Sequence, residues 1–132
     1  MHELLTYTDT DFIDLSVLMH ELSGNIVFTK ESLERMLADG NSHLYVAREE
    51  GRIIACACLC IYHQPFSTDA TIESVVVSSK MRGKGLGRKL MEHLIEEVAN
   101  STNSPTEFRE GMFASDYFNF VCDGSLIYTF YG

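Results

Sequence analysis

The chain has no tryptophan, two prolines among 132 residues, and ten basic residues against nineteen acidic ones. With 45% hydrophobic and 22% charged residues beside so few prolines, the composition is that of an ordinary soluble globular protein. The excess of acid gives a formal net charge of −9. A general nucleic-acid binder carries a broad basic face, and this chain cannot offer one. No apolar run is long enough to cross a bilayer. The longest goes from Ile53 to Tyr62, short of the roughly 20 residues a membrane helix needs. The start, Met-His-Glu-Leu-Leu, has neither the basic region nor the small-residue cleavage site of a secretion signal. We expect a cytoplasmic protein without a membrane partner.

Cysteine is also scarce. Cys56, Cys58 and Cys60 alternate along one predicted strand, so they share a face but are badly placed to bridge one another. Cys122 stands apart. The spacing is not that of a Cys-x-x-Cys knuckle and no matching histidine pair follows, so we read small packing residues and expect no metal.

Length sets one domain, 1–132. The start, His2 to Tyr7, reads as a first strand. Thr8 and Asp11 form a capping-box pattern, and Phe12, Leu15, Leu18, Met19 and Leu22 recur at helical spacing up to Gly24-Asn25. A second helix is predicted from an N-cap at Thr29 to the stop at Asp39-Gly40-Asn41, burying Leu33, Met36 and Leu37. Residues His43 to Arg48 and Arg52 to Tyr62, joined by Glu50-Gly51, read as an antiparallel hairpin. A loop opens at Gln64-Pro65 and runs to Asp69. Thr71 to Val77 then reads as a strand buried on both faces, and Leu86 to Ala99 as an amphipathic helix with Leu90, Met91, Leu94, Ile95 and Val98 inward. After Asn100 the character changes. A polar loop precedes two aromatic, β-prone runs, Tyr117 to Cys122 and Leu126 to Tyr131, whose separation by Asp123-Gly124 predicts a hairpin within 117–131.

What the chain does have is a concentrated exception to its own charge. Five of its ten basic residues lie between Lys80 and Lys89, with no acid among them and with Gly83, Gly85 and Gly87 at alternate positions. A strand leads in and a helix leads out. Glycines let the backbone aim N–H groups at an anion, and a helix N-terminus adds partial positive charge, so this loop is suited to phosphate. It is not a Walker loop, because Gly85 rather than Ser or Thr follows Lys84. Nor is it a dinucleotide fingerprint, because the third glycine position falls on Arg88 or Leu90.

The longer pattern is more specific. Arg82-Gly83-Lys84-Gly85-Leu86-Gly87 fits Arg/Gln-x-x-Gly-x-Gly/Ala between a β-rich strand and an amphipathic helix. It resembles the acetyl-coenzyme A signature of the GNAT N-acetyltransferase superfamily, and Ile72 to Met81 is similar to the flanking strand of its aminosugar-phosphate members. The resemblance covers residues 1–99. It implies an α/β (α+β) fold with a mixed, mostly antiparallel sheet flanked by helices, and transfer of an acetyl group from acetyl-coenzyme A to a primary amine by direct attack. It implies that the pyrophosphate lies on backbone N–H groups between Arg82 and Arg88, with Lys80, Lys84, Arg88 or Lys89 either near the ribose phosphate or simply solvated. It implies that the pantetheine arm runs beside Val75, Val76 and Val77, with an N–H near Val77 polarising the thioester carbonyl. Glu73 matches an acidic position of the aminosugar-type members and is the candidate base, with His63 a second candidate. The neighbouring acid of those relatives is Ser74 here, which leaves the acceptor open between a small-molecule amine and a protein amine.

The family's Leu/Phe-Tyr-x-x-x-Gly-Phe pattern is absent. Tyr117 is the nearest candidate by position for the acid that protonates the leaving thiolate, with Tyr128 and Tyr131 behind it. The stretch after Asn100 is too short for the family's usual second half. A compact variant, a strand exchanged between the subunits of a homodimer, and a catalytically impaired coenzyme A-binding protein all fit that shortage.

Overall fold

The first helix starts where its cap demands. Thr8 accepts a hydrogen bond from the Asp11 N–H at 3.1 Å, and the Asp11 carboxylate accepts one from the Thr8 N–H at 3.2 Å. The computed structural model describes residues 1–63, 65, 68–101 and 126–130, and the side chains of 1–61, 65 and 72–96. Helix α1 spans Asp9–Leu22. Helix α2, Lys30–Ala38, begins with a second reciprocal box in which Ser32 takes the place of the usual acid and pairs with Thr29. Strand β1 is His2–Glu3, β2 is Ser42–Glu49 and β3 is Arg52–His63. Strand β4 is Thr68–Val77, helix α3 is Leu86–Ser101 and strand β5 is Leu126–Phe130.

The five strands form one sheet in sequence order, and every described pairing is antiparallel. Alternation along the strands sends side chains to opposite faces. On one face Leu44, Val46, Ile53, Cys56 and Val76 pack with Leu15, Leu18 and Met19 of α1 and Leu33 of α2. On the other, Tyr45, Ala47, Ala55, Ala57, Leu59, Ile72 and Val75 pack with Leu90, Met91, Leu94 and Ile95 of α3. Among the described residues, α1 and α2 therefore cover one face and α3 covers the other.

Two carboxylates fix where α1 crosses the sheet. Among the described residues, Asp11 and Asp14 are the buried charged ones. Asp11 accepts from Arg48 at 2.7 and 3.1 Å, and Asp14 accepts from Arg52 Nε at 3.0 Å and from the Ile53 N–H at 3.1 Å. The guanidiniums hold both carboxyls below the ordinary carboxylate range. These pairs bind the start of α1 to the β2–β3 turn, where Glu50 and Gly51 adopt positive φ.

Several boundaries differ from the sequence reading. The first strand is two residues long rather than running to Tyr7: after Leu4 donates to the Leu44 carbonyl at 2.7 Å, the chain leaves the sheet for the Thr8 cap. Strand β4 starts at Thr68, inside the stretch read as loop, because β3 continues to His63 and pairs with it. Strand β4 is not buried throughout: Ile72, Val75 and Val76 are buried, but Glu73 is exposed. Strand β5 falls on the second of the two aromatic runs, while the first run and the Asp123-Gly124 turn lie outside the described residues.

Candidate functional site

The site is organised by an interruption in β4. Cys56 pairs with Val76 and Cys58 with Glu73, so Ala57 of β3 faces two residues of β4, Ser74 and Val75. This is a β-bulge. Ser74 takes it up with φ of 54°, an uncommon left-handed conformation for a residue other than glycine. Its carbonyl accepts a weak hydrogen bond from the Cys56 thiol at 3.8 Å.

Beyond the bulge β4 has a partner on one edge. Strand β5 pairs with Thr68 to Ile72, and among the described residues nothing pairs with the outer edge from Glu73 to Val77. Ser78 donates its N–H to the Ile54 carbonyl of β3 at 2.8 Å. Alternation along the strand then turns the Val77 N–H and C=O to the open edge. The Val77 carbonyl is met there by Arg82 Nε at 3.1 Å.

The basic loop follows directly. A short 3-10 turn, Ser79–Met81, opens it and α3 begins at Leu86. Its base is tied down at three points. Ser78 holds β3, Arg82 holds Val77, and Glu21 of α1 accepts from the Ser79 N–H at 3.1 Å and from its hydroxyl at 3.0 Å. Its crown is open. Gly83 and Gly85 take φ of +84° and +73°, which only glycine adopts without strain. The first intrahelical bond of α3 is Lys89 N–H to the Gly85 carbonyl. The N–H groups of Gly85, Leu86 and Gly87 donate to no described residue, as expected for the first turn of a helix. Lys80, Lys84, Arg88 and Lys89 are exposed around them, with Arg88 Nε donating to Glu92 at 2.9 Å. Open N–H donors, a helix N-terminus and surrounding cations form a surface complementary to a pyrophosphate.

A model of the acetyltransferase (GNAT) family matches residues 10–106. The chain belongs to this family. Solved structures agree. A protein of Agrobacterium tumefaciens assigned as an acetyltransferase shares 25% identity over 83% of this chain and 90% of its own, with a TM-score of 0.65. Glucosamine-6-phosphate N-acetyltransferase from Arabidopsis thaliana shares 28% identity over 68% of this chain and 70% of its own, with a TM-score of 0.53. A GNAT family acetyltransferase of Staphylococcus aureus has the same fold, with 23% identity, 74% and 76% coverage and a TM-score of 0.62. Membership is consistent with acyl transfer, in a family whose acyl donor is generally acetyl-coenzyme A, and it settles the GNAT-like fold that the loop pattern implied.

In this GNAT chain the structure gathers most of the candidate residues along one line. Glu73 sits at the bulge, Val75 to Val77 form the open edge, and Arg82 to Arg88 form the loop. Glu73 is paired with Cys58, whose side chain packs on the α1 and α2 face, so the carboxylate lies on that face too. The Arg82 side chain turns back onto the protein, leaving its neighbours' backbone as the outward surface. Tyr117 lies outside the described residues, as do the side chains of His63, Tyr128 and Tyr131.

Burial pushes the Cys58 thiol up to about 12, and the Cys56 thiol well above its ordinary value. Neither is a ready nucleophile at neutral pH. Among the described residues no cluster of metal-ligating side chains forms, and no helix is long and apolar enough to cross a membrane.

Sequence reasoning missed Ser74 as a backbone device and Glu21 as an anchor. For the first the sequence offers only the odd spacing of Ile72 and Val75; the structure shows both packing toward α3, which a regular period-two strand does not allow.

Proposed function

We propose that this protein transfers an acetyl group from acetyl-coenzyme A to the primary amine of an acceptor by direct attack. The observation that carries the reading is the continuity of the open edge of β4 with the open crown of the loop. An extended arm that ends in a pyrophosphate would find strand-like backbone partners along Val75 to Val77 and N–H donors at Gly85 to Gly87. Acetyl-coenzyme A supplies the activated acyl group as a thioester.

The remaining work falls to the chain. The Val77 N–H, turned to the open edge, would donate to the acyl carbonyl and stabilise the charge that develops there. Glu73, exposed on the α1 and α2 face beside the bulge, would take a proton from the acceptor amine, directly or through water. The protonated Cys58 opposite it favours direct transfer over an acyl-cysteine route. The acceptor would enter between Glu73 and the α1–α2 connection. Phe28 of that connection stacks on Phe12 of α1 with ring centroids 5.1 Å apart. Tyr117 remains the candidate acid for the leaving thiolate. Relatives acting on glucosamine 6-phosphate suggest amino sugars for the first acceptor screen, alongside other small amines and peptide N-termini.

The test is a calorimetric titration with acetyl-coenzyme A, followed by thiol release across that panel. Micromolar binding that is lost in Gly85→Glu, with turnover that is lost in Glu73→Gln, supports the reading. Binding without turnover for any amine turns it into that of a coenzyme A-binding protein. No binding by the unmodified chain rejects it.

A further inference from the structure

We infer that Glu21 is a positioning residue for the coenzyme loop, holding it in its ligand-ready shape from the opposite element, α1. The inference rests on the reading of the loop as the pyrophosphate site.

Glu21 is the next-to-last residue of α1. A carboxylate there is in the wrong place for its own helix, because the C-terminal turn carries partial negative charge and favours cations. Its partners explain the position. Both of its oxygens are used on Ser79, one by the N–H and one by the hydroxyl, at 3.1 and 3.0 Å. Oxygen Oε2 also lies 3.8 Å from Arg82 Nη2, and the carboxylate is about one-quarter exposed (24%). Arg82 in turn donates through Nε to the Val77 carbonyl. One carboxylate therefore fixes both the first residue of the loop and the arginine that clips the loop to the end of β4.

The loop needs such an outside anchor. Residues Gly83 to Gly87 hold three glycines, and glycine has the most backbone freedom to lose on ordering. Without the anchor, that ordering must occur on binding and weakens it. The anchor also acts at a distance, because Glu21 touches none of the N–H groups at Gly85 to Gly87. Its own charge opposes an anionic ligand nearby, so a direct electrostatic role has the opposite sign from a positioning role.

That opposition makes the test decisive. Coenzyme A is titrated into the unmodified protein, Glu21→Ala and Glu21→Gln, with thermal unfolding of each and amide exchange of the ligand-free forms. Glutamine keeps an acceptor for the Ser79 N–H and a partner for its hydroxyl, but removes the charge. The expected result is an affinity about tenfold weaker in the alanine variant and unchanged or slightly tighter in the glutamine variant. Exchange at Ser79 to Gly87 should rise in the alanine variant, while α1, β3 and the later turns of α3 keep their protection. Equal affinity in all three proteins overturns the inference alone. A glutamine variant as weak as alanine, or an alanine variant whose protection falls throughout, overturns it as well. Failure of the unmodified protein to bind overturns the reading of the loop and the inference with it.

Discussion

Replacing Gly85 by alanine and, separately, by asparagine distinguishes what the loop costs the fold from what it does for a ligand. Gly85 has φ of +73°, and a Cβ built on it meets nothing within 4 Å. Steric conflict in the free protein is therefore absent, and only backbone strain remains. A left-handed alanine costs about 1–2 kcal/mol. Alanine also restricts the unfolded chain, which returns about 0.4–1 kcal/mol. The net loss is about 1 kcal/mol, or roughly 3–5 °C in melting temperature for a domain of this size. Asparagine tolerates the left-handed region better and should lose less than half of that. Stability should thus rank glycine, then asparagine, then alanine. Coenzyme affinity should follow a different order, because both variants place a Cβ where the ligand approaches backbone, and both should bind at least about tenfold more weakly. Thermal unfolding with and without coenzyme A reads both quantities. An alanine variant with an unchanged melting temperature would refute the backbone conformation. Variants that lose stability but keep full affinity would refute the role of the loop backbone.

Four other perturbations follow from the same structure. Asp14→Ala removes the acceptor for the buried Ile53 N–H and for Arg52, and should cost about 2–3 kcal/mol by urea unfolding, while Asp14→Asn, which still accepts from Ile53, should cost less. Their arginine partners hold the Asp11 and Asp14 carboxyls below the ordinary carboxylate range, so their contribution is complete above the unfolded-state pKa and is lost as the pH falls through the lower folded-state values; stability should decline as the pH drops below about 4, and a profile flat to pH 3 would contradict this. Ser74→Gly should keep or slightly raise stability and Ser74→Val should lower it by about 1–3 kcal/mol, because only the second worsens the strain at φ 54°. The Cys58 thiol, pushed up to about 12, should alkylate at pH 8 roughly a thousandfold more slowly than an exposed cysteine, as peptide mapping after iodoacetamide would show.

Much of the fold was legible because its signals are local. The Thr8–Asp11 box, the Glu50-Gly51 turn and the period of Leu90, Met91, Leu94 and Ile95 each lie within a few residues, and the structure places elements on all of them. The loop was legible for the same reason, since charge and glycine spacing need no tertiary context. What escaped depends on partners distant in sequence. Asp11 meets Arg48 across 37 residues, Asp14 meets Arg52 across 38 and Glu21 meets Ser79 across 58. No spacing rule links such pairs. The second capping box escaped because Ser32 stands where the pattern expects Glu or Gln. The bulge was half-visible: Ile72, Val75 and Val76 break alternation, but a run of β-branched residues reads as a fully buried strand until the opposite strand supplies the register.

The half-covered edge of β4 has a consequence beyond chemistry. Exposed strand edges are templates for self-association, and proteins blunt them by shortness, twist and charge. Here the open stretch is brief, a bulge bends it at one end, and exposed Glu73 and Arg82 flank it. The gap proposed to admit a ligand is thus also guarded against the next molecule of the same chain. A ligand seated along Val75 to Val77 would finish the sheet and act as its own protection against aggregation.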